Sequence, residues 1–396
     1  MGSLQQTIGA DMTQAGCRSH DATASGGEGR PVASHLKTQG SSLRGEGMPA
    51  GLDSSGDACP VLSASTETSY GWDRKVKLAM PIITEALGPV ETPQEDWESL
   101  AAGAALAGVT LVCGEDVCRP GPGPQWDARG KIAHWPGMDQ RIHAYNRHQG
   151  DYGELLVQMS IDGARLGLAE YLIEKHHLES LELKWGQGVN RIGSETEIGS
   201  LGWALELIRR GHSVIPNPSD CAVRAAFRSG ALTEFERHCR LGLIDEEGFL
   251  AECDRLRGLG FKRIALKAEV YELRELALAM TWSSQARIDL LSIGGGPAGA
   301  GISPWRMTED GHLPAGRLHS AAVEFAGRLA AEGKRVPDLA LAGPLGAEGD
   351  IFKAIALGAP YVKAVRIRAA MLIPGIVGKA VGRWIGGGES AKIRFA

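Results

Sequence analysis

From Gly71 onward the chain alternates short apolar runs with amphipathic helical patterns, and it does so eight times. The runs are Met80–Thr84, Val109–Cys113, Leu155–Met159, Ser180–Trp185, Lys262–Lys267, Asp289–Ile293, Leu339–Ala342 and Tyr361–Val365. A strand followed by a helix returns the chain to the same end of the sheet, so such a run dictates parallel strands. Eight of them, each ending in a polar or glycine-rich loop, point to a closed (β/α)₈ TIM barrel. A doubly wound open sheet is the alternative. No repeat at a fixed period indicates a solenoid.

The intervening helices carry their own signals. Thr92-Pro93-Gln94-Glu95 is a capping box with Pro at the first helical position, and it predicts a helix running to Gly108. Met138–His148 is helical by pattern, and Asp162 is placed to cap a helix over Ala164–His176. Ile198, Leu201, Leu205 and Ile208 share one face of the next helix. Val214–Pro218 reads as a connection, since Pro216 and Pro218 bar a central strand, and a helical insertion follows through Arg240. Asp245–Leu259 is amphipathic through Phe249, Cys253 and Leu256 and ends at Gly260.

Residues 1–70 differ from this domain. They hold 11 Gly and 11 Ser, and all nine Trp come later. Apolar surface is too sparse there to offset the entropy of ordering, so the segment is expected to be disordered. The barrel is expected over 71–385, with a short flexible tail at 386–396. The net charge of −5 argues against a nucleic-acid or anionic-membrane surface as the main partner. Val362–Ile385 is interrupted by Arg366, Arg368, Pro374 and Lys379, so it does not read as a membrane span. The seven cysteines are odd in number and form no CxxC pair, which fits a reducing, cytoplasmic setting. Cys113 and Cys118 are too few to hold an iron cluster and read as buried thiols.

In a barrel the chemistry gathers at the strand ends. The stretch Ser180–Glu195 shows this best: Leu181, Leu183 and Trp185 alternate with Glu182 and Lys184, and a turn with Gly186, Gln187, Gly188 and Gly193 follows. That turn is either a ligand loop or an ordinary βα connection. The other strand ends bring Glu115, Lys267, the glycine run Gly294–Gly301, Gly343, and Arg366 with Arg368. An inward lysine needs an acceptor. Lys184 and Lys267 therefore either face a ligand or pair with Glu115, Glu182 or Glu269. Glycine runs after strands six and seven, with arginines after strand eight, fit the phosphate site of this fold. The run is not a dinucleotide fingerprint, because its spacing lacks the GxGxxG context.

The chain from about Leu78 to Trp384 resembles the FMN-binding synthase domain of glutamate synthase, in its stand-alone form. The segments that carry the resemblance are Ala101–Cys118, Leu181–Glu195, Phe235–Leu250, Ser303–Met307 and Lys353–Val365. The resemblance implies FMN at the C-terminal mouth and L-glutamate formed from 2-oxoglutarate and ammonia through 2-iminoglutarate. It also implies a ferredoxin or a reductase subunit as electron donor. By position, Lys184 and Gln187 lie by the flavin ring and Lys267 faces its N1/O2 edge. Glu115 faces the substrate, a 2-oxo acid with ammonia or an amine. Gly295, Gly299, Gly301, Gly343 and Arg368 border the phosphate, and Asn190 and Gly193 fall in the substrate loop.

Several positions depart from the family pattern. Val189-Asn190 stand where Ala-Lys is expected, and the lysine there contacts the substrate carboxylate. Gly294 takes the place of an acid, and Ala298 and Ala300 replace Gly and Thr. Pro344 replaces a glycine, and Arg368-Ala369 aligns with a Gly-Arg pair, for which Arg366 or Arg368 is the nearest substitute. No cysteine follows Cys253, so no 3Fe–4S cluster is expected. The second reading is therefore a diverged, non-catalytic paralogue with weak or no flavin binding.

Overall fold

The computed structural model describes residues 65–86, 96–114, 123–187, 195–209, 213–238, 245–269, 272–294, 313–343, 345 and 347–367. In chain order the strands are β1 (Thr68–Tyr70), β2 (Val76–Leu78), β3 (Ile82–Thr84), β4 (Leu111–Gly114), β5 (Gln125–Trp126), β6 (Ile132–His134), β7 (Leu155–Met159) and β8 (Ser180–Gln187). They continue with β9 (Glu195–Ile198), β10 (Ser213–Ile215), β11 (Phe235–His238), β12 (Arg263–Glu269), β13 (Leu290–Gly294), β14 (Asp338–Ala342) and β15 (Val362–Ile367). The helices are α1 (Trp97–Leu106), α2 (Pro136–Asn146), α3 (Ile161–Arg165), α4 (Leu168–His176) and α5 (Leu201–Arg209). Then come α6 (Cys221–Arg228), α7 (Glu246–Leu259), α8 (Leu273–Gln285), α9 (Ala315–Ala331) and α10 (Glu348–Gly358).

Eight strands pair in parallel in the order β3-β15-β14-β13-β12-β8-β7-β4. A parallel bridge between Ile83 and Thr110 joins the two ends, so the sheet closes into the (β/α)₈ barrel and the open-sheet alternative falls. Each of the eight expected runs coincides with one of these strands.

The period-two pattern sorts side chains to two sides of the wall. Leu181, Leu183 and Trp185 face the helices, where the Trp185 ring meets Phe249 at 4.8 Å and Trp282 at 5.7 Å between centroids. Helix α7 shows why the surrounding segments form where they do. Asp245 caps it by accepting from Gly248 N at 2.7 Å, Phe249, Cys253 and Leu256 are buried, and Gly260 ends it at φ +119°. The other side of the wall is filled at its lower end by Val112, Leu156, Ile83, Ala265, Leu290, Ala340 and Ala364. Three of these are alanines, which leaves room for a plug.

The plug is the β1–β2 hairpin. Tyr70, Val76 and Leu78 pack on that lower layer, and the Tyr70 hydroxyl donates to Glu154 Oε1 at 2.7 Å beside Thr110 Oγ1 at 2.9 Å. Gly71 N donates to Asp338 Oδ2 and Trp72 N to Asp289 Oδ1, so the hairpin is tied to β14 and to the start of β13. The expectation of disorder up to residue 70 is corrected here for 65–70: Tyr70 is 1% exposed. A composition argument misses it because one aromatic with two polar partners anchors an otherwise polar segment. Residues 1–64 and the expected tail 386–396 lie outside the described residues.

Other differences are local. Ser160, rather than Asp162, caps the helix after β7 by accepting from Gly163 N, and Gly167 at φ +81° separates α3 from α4. The helix after the capping box is described over Trp97–Leu106. Ile198 belongs to β9, and Ser213–Ile215 forms the edge strand of a three-stranded sheet in the order β10-β11-β9. Pro216 ends that edge, where its missing N–H costs no ladder bond. Among the described residues, no helix is long and apolar enough to cross a membrane.

Replacing Tyr70 tests the plug. Tyr70→Ala is expected to cost about 3–5 kcal/mol of stability and Tyr70→Phe about 1–3 kcal/mol, the latter by leaving Glu154 and Thr110 short of a partner. Urea denaturation measures both, and an unchanged midpoint for Tyr70→Ala would show that the hairpin is not seated.

Candidate active site in the barrel mouth

The inward face of β8 presents Ser180, Glu182 and, by alternation, Lys184 to the barrel interior. Glu182 is fully buried, and Arg366 of β15 donates to it from Nη2, at 2.7 Å from Oε2 and 3.0 Å from Oε1. Gln158 of β7 donates from Nε2 to the same Oε1 at 2.6 Å. Two residues further along β12, past the register partner of Glu182, Lys267 donates to Glu85 Oε2 at 2.6 Å and lies 3.1 Å from Glu269 Oε1.

Lys184 and Lys267 are register partners on adjacent strands, so two cations stand side by side on the inner wall. Lys267 is answered by two carboxylates. Lys184 is half-buried and has no hydrogen-bond or ion-pair partner among the described residues. Like charges at such a spacing repel, and the nearby carboxylates offset that repulsion.

Titration follows the geometry. Burial acts to raise the Glu85 carboxyl, but Lys267 and Arg366 outweigh it and hold it at about 2 against an ordinary 4.5. Burial acts to lower the Lys267 ammonium, and Glu85 and Glu269 outweigh that and raise it, so it stays cationic. Burial likewise acts to lower Arg366, and Glu182 with Glu85 raises it. Glu85, Lys267 and Arg366 are therefore charged throughout the neutral range.

Several buried polar atoms here have no partner among the described residues: Arg366 Nε and Nη1, Glu269 Oε2 and Ser292 Oγ. Buried polar atoms are rarely left so, and their grouping inside one barrel marks a place for a polar ligand or ordered water. Glu269 also stands in register with Gly294. A Cβ at 294 would meet Glu269 Cγ at 3.2 Å, so the carboxylate side chain leans over the position where the family pattern carries an acid.

The site residues expected from sequence divide three ways. Lys184 and Lys267 are brought together, and Gly343 directly follows β14. Gln187 ends β8, and its side chain lies outside the described residues. Glu115, Asn190, Gly193, Gly295, Gly299, Gly301 and Arg368 also lie outside them. Arg366 is corrected: it lies within β15 rather than after it, and its buried bond to Glu182 prevents it from serving a phosphate at the rim. Cys113 is buried, and burial raises its thiol, as befits a structural cysteine. Sequence reasoning did not single out Glu85, Gln158 or Ser292. Glu85 follows the first barrel strand directly, and period-two counting from Ile83 puts it on the inner face.

No protein-family model matches the chain, and no curated protein does. Solved structures to which the chain is similar include a monotopic membrane protein, (S)-mandelate dehydrogenase, at 14% identity and a TM-score of 0.41, covering 79% of this chain and 74% of that one. A flavocytochrome b2 variant with sulfite bound matches at 11% identity and a TM-score of 0.44, covering 79% and 63%. A FabK mutant from Thermotoga maritima matches at 13% identity and a TM-score of 0.36, covering 74% and 62%. The chain thus spans less than two thirds of the latter two. Likeness at this level decides nothing about substrate or chemistry.

The depressed Glu85 carboxyl makes a pH prediction. A group held below its unfolded value stabilises the fold above that value, and the contribution is lost as pH falls through the folded one. Stability should therefore drop between about pH 4.5 and about pH 2 as Glu85 takes up its proton. In Glu85→Gln the urea midpoint should fall less steeply across that window; an unchanged slope would remove Glu85 from the account.

Proposed function

We propose that the protein is an FMN-dependent oxidoreductase of the glutamate-synthase type, converting 2-oxoglutarate and ammonia, through 2-iminoglutarate, to L-glutamate. The observation that carries this reading is the lysine pair on β8 and β12, inward-facing in the barrel, with Lys184 inside the Leu181–Glu195 segment that resembles that family. The residues present fit a flavin on the evidence of their unmatched groups. Among the described residues, Lys184 is a donor without an acceptor, and Glu269 Oε2 and Ser292 Oγ are buried and unpaired. A heterocycle that carries both acceptors and an N–H meets that demand.

Lys184 and Gln187 would lie beside the ring, and Gly343 would border the phosphate together with Gly295, Gly299, Gly301 and Arg368. When bound, FMN supplies hydride transfer to the imine carbon. Lys267, kept cationic by Glu85 and Glu269, would place positive charge at the ring edge. Glu269 would supply beside β13 the acid that Gly294 lacks. Glu115, by the resemblance, would face the substrate, and the imine would gain one hydride and one proton to become the amine. The electrons come from a ferredoxin or a reductase subunit.

Two observations favour the second reading, a non-catalytic paralogue. Two carboxylates already answer Lys267, which weakens its pull on an anionic ring, and Asn190 cannot form the charge–charge contact that a lysine makes with a substrate carboxylate.

The absorption spectrum of the purified protein separates the two. A flavin spectrum, or saturable uptake of added FMN with Lys184→Ala binding at least about tenfold more weakly, supports the enzyme; one good charge-assisted hydrogen bond is of that size. A colourless protein that takes up no FMN supports the paralogue. On the enzyme reading, Asn190→Lys should strengthen 2-oxoglutarate binding about tenfold, read as KM in glutamate formation with a chemical reductant. An unchanged KM would mean that Asn190 does not limit substrate use.

A further inference from the structure

We propose a second ligand site on the rim of the barrel, outside the mouth, that takes a small phosphate-bearing anion. It is a cavity of about 420 Å³ lined by Trp126, Arg165, Leu166 and Arg209 and by the turn Asp127–Lys131. That volume lies in the range of small-molecule sites rather than of flat protein contacts. Its wall carries four cations, Arg129, Lys131, Arg165 and Arg209, against one carboxylate, Asp127.

The cations come from three separate excursions of the chain. The β5–β6 hairpin lies between the C-terminal end of β4 and the start of α2. Helix α3 follows the C-terminal end of β7. Helix α5 belongs to the long excursion between β8 and α7. All three leave the barrel at the end where β8 and β12 present their lysines, so the cavity lies on the face that holds the candidate active site. It is at strands β4, β7 and β8, which are not neighbours of β13 and β14 in the barrel.

The wall is built rather than incidental. Asp127 Oδ1 accepts from Arg129 N and Lys131 N at 2.8 Å each, so the one acidic group is engaged in holding the turn. Ile132 N donates to Leu166 O at 2.9 Å and pins the hairpin against the α3–α4 connection. Gly167 lacks the Cβ that would come within 3.3 Å of Lys131 Cδ, and the lysine stem lies in that gap with its ammonium on the Arg165 carbonyl. Arg209 is held in a two-point bond by Glu206, at 2.7 and 2.6 Å. Asp162, 3.7 Å from Arg165, and Glu206 fix these arginines, and neither belongs to the cavity wall. Lys131 has no carboxylate partner among the described residues, which leaves the wall with an uncompensated positive charge that a phosphate group would neutralise.

Inorganic pyrophosphate is the probe. Titrated into the full-length protein at low ionic strength, it should bind saturably at one site, followed by calorimetry and by tryptophan fluorescence, which Trp126→Phe should reduce. In the double variant Lys131→Gln/Arg209→Gln the affinity should fall at least tenfold, with an unchanged circular dichroism spectrum. Saturating FMN, or Lys184→Ala, should leave pyrophosphate binding unchanged, which separates this site from the mouth. No saturable binding, equal affinity in the double variant, or competition with FMN would each overturn the proposal.

Discussion

The buried ion pair of Glu182 and Arg366 sets the terms for the whole interior. Each is fully buried, and they come from strands β8 and β15 on different parts of the barrel wall. Taking either charge out of water alone costs several kcal/mol, so each is tolerable only because the other is within 2.7 Å. A pair of this kind adds little net stability over an apolar filling of the same shape. It does fix which strands face each other across the barrel, since a wrong register would strand a charge in the core. With Lys267 held by Glu85 and Glu269 two residues further along β12, the upper half of the barrel is an ordered lattice of charge.

That lattice inverts the usual reading of a period-two strand. Alternation in a half-buried strand ordinarily puts the polar residues in water. In β8 the leucines and Trp185 face a shell of helices, and the charged residues line the barrel interior, where Glu182 is fully buried. The apolar layer below, rich in alanine and sealed by Tyr70, supports the charged layer above it. Polar groups therefore sit inside the barrel wall, and the atoms of Arg366, Glu269 and Ser292 that lack partners among the described residues lie in that layer.

The barrel was legible because its signal repeats. Eight strand patterns joined by seven helical returns leave few topologies, and local errors such as the cap at Ser160 or the edge strand at Ser213 do not disturb the count. The site was legible only where it lies in strands: Lys184 and Lys267 follow from periodicity. Their partners did not, because the pairing of Arg366 with Glu182 spans 184 residues and that of Lys267 with Glu85 spans 182. No local pattern specifies which of several acids a lysine will meet across a barrel. The rim cavity was equally hidden, since its cations are assembled from three loops and no one stretch is conspicuously basic.

The N-terminal plug has a consequence for the order of assembly. The hairpin is made early in synthesis, yet Gly71 finds Asp338, its acceptor, only 267 residues later. Trp72 waits 216 residues for Ile288. Closing loops of that length precedes any reward from the contacts they bring, so the Gly71 and Trp72 bonds cannot form until the sixth and seventh barrel strands are present. The plug thus joins the two ends of the described domain: Tyr70 reaches Thr110 and Glu154 on the early strands, while Gly71 and Trp72 reach groups supplied more than 200 residues later.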